Sequence, residues 1–162
     1  MPHKRREIRT HIVTLLKAGN TSAGQRVYAS KVRPGIVTQY PIVAVYTPKE
    51  DAKVIGANPH HYERTLELVI ECISEDINTD VENKLDLLLN EIEAIIDTDE
   101  LLIPDVSEIE YTGTIVDLFD AGDKDVASGI IRYSIKYYTV EGVPDPDPLW
   151  NIEINGSWIK PE

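Results

Sequence analysis

Residues 64–72 read Arg64-Thr65-Leu66-Glu67-Leu68-Val69-Ile70-Glu71-Cys72. Leu66, Leu68, Ile70 and Cys72 fall on every second position, with Glu67 and Glu71 between them. Side chains of an extended chain alternate between two faces, so this spacing describes a strand with one side in a core and one toward water. The pattern returns in the segment 128–140, where Ile131, Tyr133, Ile135 and Tyr137 share a face. A further strand is expected over 109–118. The polar link Asp120-Ala121-Gly122-Asp123-Lys124-Asp125 makes a hairpin of these last two strands.

Outward from this sheet, Ile42-Val43-Ala44-Val45-Tyr46 is apolar on both faces and reads as a central strand. Val27-Tyr28-Ala29 and Val32 suggest a shorter strand, ended near Pro34-Gly35. Two amphipathic helices are predicted. The first runs from about Pro2 to Ala18, with Ile8, Ile12, Leu15 and Leu16 at helical spacing. Gly19-Asn20 stops it, through the freedom of Gly to turn left-handed. The second runs from about Thr79 to Ile96, capped by Asn78, Thr79 or Asp80, with Val81, Leu85, Leu88, Ile92 and Ile95 as its stripe. Residues 47–61, rich in charge, Gly and Pro, are expected to form a long exposed loop, and such loops are often functional.

The order is helix, three strands, helix, two strands. It predicts an α+β fold: a mixed, mostly antiparallel sheet of about five strands with both helices on one face. Strict βαβ alternation is missing, which argues against a doubly wound sheet. One domain is expected over 1–142. Residues 143–162 form a separate extension. There Pro144-Asp145-Pro146-Asp147-Pro148 is a stiff spacer, and Asn155-Gly156 is a two-residue hairpin turn between Ile154 and Trp158. The extension is either strapped to its own domain or an arm for a neighbour.

The 162 residues carry 16 Lys and Arg against 28 Asp and Glu, a formal net charge of -12. Binding to duplex nucleic acid needs clustered cations, so this balance argues against it. Cys72 is the only cysteine, which excludes an intramolecular disulfide and a Cys-rich zinc site. No secretory signal is read at the N-terminus, and no run approaches the roughly 20 apolar residues of a membrane-spanning helix.

Candidate chemistry is sparse. Gly19 to Gly24 has the glycine spacing of a phosphate loop, but Gln25 and Arg26 stand where Lys and Ser or Thr are needed. The loop also leaves a helix and enters a strand, the reverse of a P-loop. His60-His61 are adjacent and would point to opposite sides of an extended chain, a poor arrangement for chelation. Asp120, Asp123 and Asp125 lack the twelve-residue calcium pattern, and acidic turns are common for turn chemistry alone. Cys72 sits on an apolar strand face, where a thiol acts as a small hydrophobe. The tyrosines around Arg132 and Lys136 fit strand propensity better than base stacking. No catalytic residue, cofactor site or metal site is assigned, and the expectation is a non-enzyme. A metal-dependent hydrolase using His60 or His61 is the enzymatic alternative, and an acidic adaptor of a contractile or secretion apparatus is another.

Several pieces in order resemble one family. They are the basic N-terminal helix, Ala18 to Val27 (AGNTSAGQRV), Pro41 to Thr47 (PIVAVYT), Tyr62 to Leu68, the acidic helix Asn83 to Ile96, and a last strand closing on Tyr137-Tyr138-Thr139. Together, over roughly the first 140 residues, they resemble the tail terminators of long-tailed phages, the lambda minor tail protein U type. The resemblance implies a small α+β subunit of the virion, assembled in the host cytoplasm into a hexameric ring on the last tail-tube ring. Such a ring stops tube elongation and meets the head-completion or connector proteins at the neck, while DNA passes through without specific binding. It transfers no catalytic residue. Another neck or tail-completion protein is the nearest alternative.

For contacts in such an assembly, exposure and charge nominate Arg5, Arg6 and Arg9 and, in the expected loop, Lys49, Glu50, Asp51 and Lys53. Surface charges are also commonly idle. An acidic channel would let DNA slide past, and Asp120, Asp123 and Asp125 are the candidates to line it.

Overall fold

A computed structural model gives the fold, describing residues 3–30, 39–76, 80–98, 106–120, 122 and 124–142, and the backbone of 153–154 and 157–158. Helix α1 spans Lys4–Ala18 and α2 spans Val81–Thr98. The strands are β1 (Val27–Tyr28), β2 (Ile42–Gly56), β3 (His61–Asp76), β4 (Val106–Asp120) and β5 (Asp125–Val140). They form one sheet in the order β1-β2-β3-β5-β4. Only the β1–β2 pairing is parallel. The chain is therefore α+β, as the element order predicts.

The register explains the core. Leu66, Leu68, Ile70 and Cys72 on β3 stand opposite Ile135, Tyr133, Ile131 and Gly129 on β5, and Val43 and Val45 on β2 continue the row. Apart from Gly129, which has no side chain, all of these are buried with Ile8, Ile12 and Leu16 of α1 and Leu85, Leu88 and Ile92 of α2. Both helices thus cover the same sheet face, α1 over β1 and β2, α2 over β3 and β5. Gly129 leaves room for this packing, since a Cβ there would press on Leu85 and Leu89. On the opposite face charges alternate along the strands: Arg132 lies 3.7 Å from Glu67, and Lys136 lies 3.1 Å from Glu108.

The expected loop over 47–61 is a strand. β2 runs on to Gly56, pairs with β3 as far as Gly56 opposite His61, and turns in the four residues Ala57 to His60. Charge misled the reading. β1 pairs with β2 only at Val43 and Ala44, so the rest of β2 has no described strand on its outer side. Charged side chains, Lys above all, are what an edge strand tolerates. A register shift between Tyr46 and Lys49 also breaks the alternation.

The helix ends differ in detail too. Gly19 is right-handed (φ -70°), and Asn20 takes the left-handed turn (φ 52°). Gly19 is needed for closeness instead: a Cβ there would collide with Ile95 of α2. On α2 the buried stripe includes Leu89 and Ile96, while Ile95 is half-buried against the core. Asp80 stands just before α2, its carbonyl accepting the Lys84 N–H at 3.2 Å. The other two cap candidates, Asn78 and Thr79, lie outside the described residues, as does Val32.

In the C-terminal extension, Glu153–Ile154 pairs antiparallel with Ser157–Trp158; the expected turn at Asn155-Gly156 lies outside the described residues. The spacer at 143–150 lies outside the described residues.

Candidate assembly surfaces

The residues nominated from sequence separate into three places. Arg5 and Arg6 are exposed in the first turn of α1; Arg6 lies on the side away from the buried Ile8 and Ile12, while Arg5 continues their stripe beyond the core. Arg9 is half-buried, and its Nε is buried without a described hydrogen-bond partner.

Lys49, Glu50, Asp51 and Lys53 share β2, where the alternation of the strand divides them. Lys49, Asp51 and Lys53 face the charged side, opposite Glu67, Thr65 and Glu63. Lys49 pairs with Asp51 at 2.9 Å, and that bond raises the Lys49 pKa. Glu50 points to the helix side, opposite Leu66. Its carboxylate holds the Arg64 guanidinium at 3.1 Å and accepts a short hydrogen bond from the Tyr137 hydroxyl. With 13% of its side chain exposed, Glu50 is a structural partner for these two groups.

Asp120 and Asp125 face one another at the end of the β4–β5 hairpin. Gly122 (φ 91°) donates its N–H to Asp120 at 2.8 Å, so that carboxylate serves the turn. Asp123 lies outside the described residues.

The remaining chemistry-bearing groups are held apart. His60 is engaged by the carboxylate of Glu141 through its Nδ1. Among the described residues no group of three or more His, Cys, Asp or Glu side chains could hold a metal ion. Cys72 is fully buried, and desolvation, reinforced by the nearby Glu71 charge, pushes its thiol far above the ordinary range. A cleft of about 340 Å³ beside the start of α1 is lined by His3, Arg64, Tyr137 and Thr139. Its guanidinium is already committed, to Glu50 and to the Thr139 hydroxyl at 2.7 Å. No described helix is long and apolar enough to cross a membrane.

One surface escaped the sequence reading. From Ile115 to Asp120 every residue of β4 is exposed. Ile115, Val116, Leu118 and Phe119 are each 40–53% accessible. The signal was present as an apolar run on both faces, which ordinarily marks a central strand. Here it belongs to the outermost strand, beyond the reach of the helices.

Comparison with known proteins gives a faint likeness. No protein-family model matches the chain, and no curated protein does. Among solved structures it is similar to a chain in the virion of a native gene transfer agent (GTA) particle, at 14% identity and a TM-score of 0.44. That match covers 79% of this chain and 93% of the other.

Proposed function

We propose that this chain is a structural subunit of a phage-type virion: a tail terminator that caps the tail tube as a hexameric ring. One observation carries the reading beyond the sequence resemblance. β4 ends the sheet with exposed apolar side chains on both faces, and no described strand covers its outer side. An edge of that kind invites pairing or aggregation in a free monomer. It is the expected surface of a subunit whose neighbours complete it.

In this reading the ring stops tube elongation on one face and receives the head-completion or connector proteins on the other. Lys49, Asp51 and Lys53 on β2, with Arg5, Arg6 and Arg9 on α1, are contact candidates within the assembly, for the tube, the neck or a neighbouring subunit. Glu50 is withdrawn from that set because Arg64 and Tyr137 occupy it. Asp120, Asp123 and Asp125 would line the channel, where carboxylates repel the phosphates of passing DNA. The extension at 143–162 would act as an arm. The protein needs no cofactor for this work.

Negative-stain electron microscopy of the purified protein over a concentration series, alone and with tail tubes, tests the reading. Sixfold rings with a central channel, free or at one tube end, are expected. Failure to form rings or bind tube ends under either condition would refute it.

A further inference from the structure

The two ends of the strand order carry opposite charge. At one end lies α1, with five Lys and Arg and one Glu in its sequence. Its Lys4 is paired with Glu7 at 3.4 Å, while Arg5 and Arg6 are exposed and form no ion pair among the described residues. Thr10, Thr14 and Ala18 are exposed on the same helix. At the other end lies β4, with four carboxylates and no basic residue. Lys136 neutralises Glu108, and Asp120 serves its turn. Glu110 and Asp117 are exposed and form no ion pair among the described residues. Between and beside them stand Tyr111, Ile115, Val116, Leu118 and Phe119, all exposed.

Resting on the subunit reading above, we propose that β4 of one copy docks against the α1 side of the next. The occupant of the exposed β4 surface is thus a second copy of this chain, held head to tail. Charge complementarity selects that orientation: the basic start of α1, with Arg5 and Arg6, meets the acidic strand of the neighbour, with Glu110 and Asp117, and the apolar β4 side chains are removed from water. Pairing β4 with another β4 would oppose like carboxylates on a strand with no basic residue of its own. The two surfaces lie at opposite ends of the sheet, so one molecule cannot satisfy both by itself. A contact between unlike surfaces leaves one of each free, and its repetition closes a ring when the rotation allows.

The test is a charge swap read by light-scattering mass on the full chain. Arg5→Glu/Arg6→Glu places acid against acid, and Glu110→Arg/Asp117→Arg places base against base. All four sites are exposed, so both variants should keep the wild-type circular dichroism spectrum and melting behaviour. The expected result is assembly by wild type and at least about a tenfold rise in the concentration needed by each variant alone, equivalent to about 1.4 kcal/mol. Mixing the two variants in equal amounts should restore assembly beyond a dimer. Variants that assemble like wild type would overturn this interface and leave the ring reading standing. A restored species that stops at two copies would overturn the head-to-tail arrangement. Wild type that stays monomeric at every concentration, with slow amide exchange at Ile115 to Phe119, would overturn it too. In that case the chain's own residues would be what covers β4. Tube binding then decides the functional reading separately.

Discussion

The carboxylate of Glu91, on α2, accepts the backbone N–H of Ser22 at 2.8 Å and bonds the Ser22 hydroxyl at 2.8 and 3.0 Å. Ser22 lies in the turn that leaves α1, so one side chain of the second helix fixes the path of the chain after the first. The turn also bonds internally, Gly24 N–H to the Thr21 carbonyl at 2.8 Å. Its glycines serve a turn, and the phosphate-loop spacing has no further meaning here. Glu91→Ala should cost about 1 kcal/mol, and Ser22→Ala less, because the backbone N–H keeps its acceptor. Urea titrations of both variants check the order.

Gly19 and Ile95 make a second contact between the helices. Gly19 has an ordinary helical φ, so Gly19→Ala incurs no backbone strain, only the collision of its Cβ with Ile95. The expected loss is about 1–3 kcal/mol, the usual range for overpacking. Ile95→Val removes the colliding methyl, so the same alanine substitution should be milder in that background. A double-mutant cycle by thermal unfolding reads the coupling, and an equal cost in both backgrounds would refute the contact.

Glu50 is expected to matter for folding. Replacing it with Ala leaves Arg64 and the Tyr137 hydroxyl without their carboxylate, at a cost of about 1–3 kcal/mol. Lys53→Ala, on the exposed side of the same strand, should change stability by less than about 0.5 kcal/mol. Denaturation midpoints for the two variants distinguish a buried partner from a surface charge.

Alkali should unfold the protein. Burial raises the pKa of Cys72, Tyr133 and Tyr46, for Tyr46 with help from Glu71. Each is an acid that stays neutral when folded and ionises more easily when unfolded. Their contribution is complete below the unfolded pKa values, about 8.5 for Cys and 10 for Tyr, and declines as pH rises above them. Stability should therefore fall from about pH 9 upward. In the same experiment the Cys72 thiol should resist alkylation at pH 8 until denaturant is added. Rapid native labelling would contradict its burial.

The alternation at Leu66 to Cys72 and at Ile131 to Tyr137 was legible because burial on one face leaves its period in the sequence. The same holds for the two helical stripes, and these four patterns determine the α+β class. The route of β2 past Tyr46 was not legible. Lys49 to Lys53 look like a loop in isolation, and only pairing with β3 makes them a strand. The exposed apolar run of β4 was equally ambiguous. Its composition suits a strand buried on both faces, and position in the sheet is a property of long-range pairing that local composition does not encode.

The sequence by itself thus determined the element types, the core faces and the acidic balance, since each follows from local spacing or composition. Tertiary structure alone decided that Glu50 turns inward to Arg64 and Tyr137. It also decided that Gly19 is there for Ile95, and that the basic helix and the acidic apolar strand stand at opposite ends of one sheet. Those relations join residues far apart in the chain, and only the folded register brings them to, or keeps them from, contact.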